Sequence, residues 1–314
     1  MTKSLKAELW LVSIAFIWSA TFVIIKNAFD DVPPFLYSAI RFTFATFCGL
    51  VLWNKSLRGI TRDEIQKGTI LGLLFSAGFL LQMWGLNYTT VSKSAFISGS
   101  MVVFTPICYW IMERRPVSLF QKLGVIIVIG GLWVFTQPDF SNLNMGDVAT
   151  LICSALWGMY LTYLDMITRD SKTIGTLSVR LAMVQFIVSI IASLGLYFCF
   201  EGTLAQLPTL TLKALTSAPA LYAILYTVLL GSIFCMYIQA RVQRDTTPVK
   251  AALIFSLEPI IASTLAVIIL HETFYSDQIW GGALVLGGIL AAEVGDAIMR
   301  RCGENQILTQ STQR

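Results

Sequence analysis

TTVSKSAFISGSMVVFTPICYWIMERRPVSLFQKLGVIIVIGG, residues 89–131, returns without a gap 157 positions later as TTPVKAALIFSLEPIIASTLAVIILHETFYSDQIWGGALVLGG, residues 246–288. Eleven positions are identical: Thr89/Thr246, Thr90/Thr247, Lys93/Lys250, Ala95/Ala252, Ile97/Ile254, Ile111/Ile268, Gln121/Gln278, Gly124/Gly281, Val128/Val285, Gly130/Gly287 and Gly131/Gly288. Two unrelated apolar segments of this length would share roughly three or four residues, so the chain carries an internal repeat. The same shift takes Gln82 onto Gln239. Each copy holds at least two long apolar runs joined by a short polar link.

Composition places the repeat in a bilayer. Hydrophobic residues make up 56% and charged residues 13% of the chain, with a mean hydropathy of +0.72, whereas about a quarter of a soluble domain is charged. The net charge of +4 is scattered over the loops, without the basic stripe of a nucleic-acid binder. The six cysteines have no metal-ligand spacing, and five fall in apolar runs, where a free thiol acts as a small hydrophobe. Residues 1–11 run straight into a full-length apolar helix with no small-residue cleavage site, so no removed leader is expected. Residues 303–314 read as a polar tail that frays.

Crossing about 30 Å of hydrocarbon takes about 20 helical residues. Ten runs of that kind are predicted, at 8–27, 34–53, 67–87, 92–113, 118–136, 146–167, 174–200, 218–241, 247–270 and 276–298. With the N-terminus inside, seventeen of the 22 Lys and Arg residues fall on the inner side, three on the outer side (Lys26, Lys93 and Lys213) and two within spans (Arg41 and Arg180). By the positive-inside rule both termini are expected in the cytoplasm. Five spans per copy is an odd number, so the second copy enters the membrane inverted, the arrangement of secondary transporters whose site lies where the halves meet. The earlier helices match at a shift of 139, which puts Trp18 on Trp157 and Arg41 on Arg180; the segment after Phe200 is 18 residues longer than its counterpart after Trp53. The expected organisation is an all-α membrane protein with one repeat over 1–140, a second over 141–300 and a polar cytoplasmic tail over 301–314.

Trp18 in FIWSATF, Trp157 in ALWGMYL, Arg41 in AIRF, QMWGLNYTT followed by SKSAFISG, and SLEPIIASTLAVIILHE before a Gly-rich last helix resemble the EamA-type exporters of the drug/metabolite transporter superfamily. The likeness runs from about Leu9 to Ala297. It implies export of a small organic solute, amino acids and xenobiotics among them, through a central cavity in a bacterial inner membrane. The first copy departs from the pattern: Met101-Val102 stands opposite Glu258-Pro259, and its own proline, Pro106, comes later.

Several residues are candidates for chemistry. Glu258 lies near the middle of the ninth run, where a charged carboxylate costs at least about 2.5 kcal/mol. It is read either as a proton or substrate-amine site or as a carboxylic acid bonded to a neighbouring helix. Pro259 beside it removes a backbone donor and predicts a bend. Arg41 and Arg180 lie about two turns inside their spans; each either snorkels to the headgroups or pairs with a carboxylate, protein or substrate. Lys93 and Lys250 start helices on opposite faces and read as anchors. Trp18 with Thr21, and Trp157 with Tyr160, share helical faces and are expected to line a substrate cavity or to pack between helices. Gln82, Gln239, Ser98, Tyr237 and Phe255 join them as substrate-binding candidates. The repeated glycines read as close helix contacts.

Enzyme signatures are missing where they would be needed. His271 begins HETFY, and a zinc site would need a second histidine at 275, where tyrosine stands. No GxSxG or Walker loop occurs. The reading is a transporter without cofactor or metal, whose partners are a small-molecule substrate, the lipid bilayer and, as one option, protons; nucleic acid is excluded and the oligomeric state is open. Beside it stand a passive facilitator of the same fold and an intramembrane enzyme or receptor.

Overall fold

The computed structural model describes residues 3–88, 94, 97–137, 144–270 and 275–312, and is helical with no strand among them. In chain order the helices are α1 (Lys3–Ala28), α2 (Pro34–Leu57), α3 (Arg62–Tyr88), α4 (Met101–Glu113), α5 (Leu119–Thr136), α6 (Met145–Thr168), α7 (Ile174–Leu196), α8 (Leu207–Thr216), α9 (Ala218–Tyr226), α10 (Cys235–Val242), α11 (Pro248–Phe255), α12 (Glu258–Leu270) and α13 (Ser276–Thr312). Wide π-helical segments extend α7 over Tyr197–Glu201 and join α9 to α10 over Thr227–Phe234.

Seven of these helical stretches are long and apolar enough to cross a membrane, and Ile97–Glu113 and Leu119–Phe135 are shorter apolar helices. Their outward faces carry Phe47, Trp110, Ile126, Trp133 and Ile191, each more than half exposed, an apolar belt suited to lipid. The starts are set locally. Thr61 accepts from Glu64 N while Glu64 accepts from Thr61 N, and Asn144 and Asp147 form the same reciprocal box. Thr247 caps α11, whose first residue, Pro248, has no N–H to leave unpaired.

Two local expectations change. The longer segment after Phe200 folds into the extra helix α8. The last helix continues to Thr312, past the expected end at 298 and through the segment expected to fray, because no proline interrupts 302–312 and Glu304, Gln306 and Leu308 favour helix.

Packing pairs the elements in a reciprocal way. α1 lies against α9, α10, α11 and α12, and α6 against α3 and α4; α2 packs on α7, and α5 on α13. The α5–α13 contact is the most extensive among the described residues. A Cβ on Gly131 would stand 2.9 Å from Gly281 O, and one on Gly124 2.8 Å from Gly288 O. The repeated glycines thus meet crosswise, each against the copy of the other, as antiparallel helices require. Gly130 and Gly287 have nothing within 4 Å of such a Cβ.

Candidate functional site

The ninth run is broken rather than bent. Leu257 N donates to Ile254 O at 3.0 Å, closing a turn between α11 and α12. Pro259 then occupies the second position of α12, where a missing N–H leaves no helical bond unmade. The fourth run breaks at the same register of the repeat: Ser100 N donates to Ile97 O at 3.1 Å, and α4 starts at Met101. No proline enforces that second break. There Gly99 sits against Leu132 and Pro259, whose side chains would stand 3.0 Å and 3.8 Å from a Cβ at this position.

Both breaks face one cavity. Ser98, Gly99 and Met101 from one and Phe255, Glu258 and Pro259 from the other line it. Its volume is about 80 Å³ at the scale of a water molecule, room for several waters at roughly 10–15 Å³ each. Non-helical backbone at this depth is tolerated where it borders such a space.

α1 supplies Trp18 and Thr21, α3 Gln82, and α6 Trp157. Trp18 lies tilted against Phe255 with ring centroids 5.4 Å apart, and its Nε1–H donates to Gly231 O at 3.0 Å. That carbonyl lies in the π-helical segment, whose wide turns loosen the in-helix ladder. Thr21 donates to Trp18 O, and Gln82 Nε2 to Ser98 Oγ at 3.0 Å. Gln239 is 1% exposed, and its Oε1 has no hydrogen-bond partner among the described residues. The Glu258 side chain is half-buried, and among the described residues no donor or cation is paired with its carboxyl. The Ser19 hydroxyl lies 3.2 Å from Glu258 O, tying α1 to the break.

Arg41 lines the cavity at 3% exposure. Its Nε donates to Ser232 Oγ at 2.9 Å, and its guanidinium carbon stands 5.2 Å from the Phe42 ring centroid and 5.1 Å from that of Phe79. Arg180, at the same register of the other copy, turns away to the end of α2: it donates to Ser56 O, Arg58 O and both oxygens of Glu64. Lys250 is buried, with its Nζ 3.4 Å from Glu8 Oε1. Lys93 and His271 lie outside the described residues. Tyr160 is buried behind the cavity against Phe75 and Trp157, and Tyr237 lies apart, tilted against Trp53 with its hydroxyl accepting from Arg241.

Arg180 therefore supports structure. Arg180→Gln is expected to strand two helix-end carbonyls and the Glu64 carboxylate, costing about 2–4 kcal/mol after allowance for partial exposure. It is read as a fall of several degrees in apparent Tm in detergent, with activity per folded molecule unchanged.

The reading of the residues passed over Phe75 and Phe79, which wall the cavity beside Gln82, Met83 and Leu86. Their spacing traces one stripe of α3, a signal available in FSAGFLLQMWGL.

The belt and the broken helices around an interior cavity define a multi-pass membrane protein. The EamA-like transporter family matches residues 5–137 and 144–292, and the chain belongs to that family. An uncharacterized transporter of Archaeoglobus fulgidus is 26% identical, over 92% of this chain and 86% of its own. The S-adenosylmethionine/S-adenosylhomocysteine transporter of Chlamydia muridarum is 22% identical over 87% of each chain. A solved crystal structure matches with a TM-score of 0.72 at 14% identity, over 95% of this chain and 98% of that one, a likeness of fold. The family and the two relatives are named as transporters and not as enzymes.

Proposed function

We propose that this chain is a secondary transporter that exports a small organic metabolite across a bacterial inner membrane by alternating access. In this reading ten spans form two inverted five-helix repeats, over 1–140 and 141–300, with both termini and the tail 301–314 in the cytoplasm. The observation that carries it is the pair of helix breaks at one register of the repeat, both opening on one cavity whose mainly apolar wall holds Arg41, Glu258 and Gln239, as in transporters built from discontinuous helices.

Other features agree. Exchanging the copies turns the contacts of α1 with α9–α10 and α11–α12 into those of α6 with α3 and α4, and the glycines of α5 and α13 cross in the same reciprocal way. The excess of Lys and Arg at the end where α1 begins orients that end inward. At that end Lys250 meets Glu8, Arg244 bonds Ser171 O, and Trp53 lies tilted against Tyr237, contacts that belong to the inner side in this reading. Glu258 is the group assigned to protons.

The test is flux in proteoliposomes holding labelled small solutes under an imposed pH gradient. A transporter accumulates one of them above equilibrium and loses it when the gradient is collapsed. Equilibration without accumulation would instead make the chain a passive facilitator. Tags at the two ends reporting on different sides of the membrane would overturn the inverted arrangement.

A further inference from the structure

Arginine is costly to bury, and one at 3% exposure is normally matched by a carboxylate. Arg41 has none among the described residues. Its single hydrogen bond there runs from Nε to Ser232, which leaves both terminal nitrogens of the fork without a hydrogen-bond partner among the described residues, on a side chain that lines the cavity. The side chain is nonetheless held. The Phe42 and Phe79 rings both lie against the guanidinium, and position 231 is a glycine, where a Cβ would stand 3.2 Å from Nη2. A guanidinium fixed at one edge and open at the other is preorganised for a planar, two-oxygen acceptor.

We infer that Arg41 is a carboxylate receptor and that the cavity selects solutes carrying a single carboxylate on an apolar body. Phe75, Phe79 and the Trp18–Phe255 pair supply the apolar walls. A phosphate dianion fits poorly: Arg41 is the one cationic side chain among the described lining residues, and Glu258 shares the space. The unpaired Gln239 Oε1, a residue of the same lining, accepts a hydrogen bond from an amine or amide when the solute has one. The inference deepens the transport reading and rests on it for its physiological meaning, while binding itself requires no flux.

Equilibrium binding to the full-length chain in detergent, by calorimetry, tests it with size-matched probes: 3-phenylpropionate, phenylalanine, 2-phenylethylamine and phenyl phosphate, and the same series built on propyl and indolyl bodies. Carboxylates are expected to bind at least about tenfold tighter than the matched amine and phosphate, the scale of one charge-assisted pair. Arg41→Gln erases that preference, Arg41→Lys restores part of it, and Ser232→Ala, which frees Nε, weakens carboxylates by a smaller factor while sparing amines. An amine binding as tightly as its carboxylate, unchanged carboxylate affinity in Arg41→Gln, or no saturable carboxylate binding across the panel would overturn the inference. Should Arg41→Gln fail to elute as a single species, unchanged carboxylate affinity in both Arg41→Lys and Ser232→Ala overturns it equally. Carboxylate binding without flux would sink the transport reading alone; flux of amines with no carboxylate binding would sink this inference alone.

Discussion

Glu258→Gln, reconstituted and given an inward or outward pH gradient, is expected to lose gradient-driven accumulation while still exchanging solute between the two sides. The carboxyl stands on the first turn of α12, beside the break and on the cavity wall. Glutamine keeps the volume and the hydrogen-bonding oxygen but cannot take up or release a proton. One pH unit is 1.36 kcal/mol per proton, so exchange of one proton for one solute supports up to about tenfold accumulation per unit. The variant is expected to fall to the equilibrium level. Accumulation as steep as that of the native chain would assign Glu258 to helix packing.

The second large effect is structural. Gly131→Leu is expected to prevent the chain from being recovered as a folded, monodisperse species. A Cβ at this position would meet Val285 N at 2.7 Å and Gly281 O at 2.9 Å, and these are backbone atoms that no rotamer change can move. α5 and α13 would have to part along their contact. In lipid, helix association rests on close van der Waals approach and lacks the hydrophobic drive available in water, so separation forfeits most of what holds the pair. Overpacking typically costs about 1–3 kcal/mol, and backbone against backbone lies at the upper end. Gly130→Leu, one residue away and facing open space, is the control and is expected to fold normally. Equal recovery of the two variants, measured by size-exclusion chromatography after extraction, would refute the close contact.

Features that depend on local composition were legible before any coordinates. The lengths of the apolar runs placed nine of the ten expected segments on the apolar helices of the fold, and the tenth on the start of α13. Glu258-Pro259 marked the point where the ninth run is interrupted. Seven of the nine substrate-binding candidates, from Trp18 to Glu258, converge on one cavity. They were singled out because a polar or aromatic group deep in lipid needs an interior partner.

What the chain alone left open are the features decided by neighbours far away in sequence. Met101 carries no breaking residue, and the interruption before it accompanies Gly99 packed against Leu132 and Pro259. Arg41 and Arg180 occupy matching places in the two copies. One meets Ser232 and two rings at a cavity, and the other meets the carbonyls ending α2. Tyr237 and Gln239 stand two residues apart, yet only the glutamine borders the cavity. The sequence by itself determined that the chain is apolar and built of membrane-length helices, because hydropathy and periodicity are local properties. The tertiary structure decided which polar groups meet, because a side chain's partner depends on which helix crosses over it.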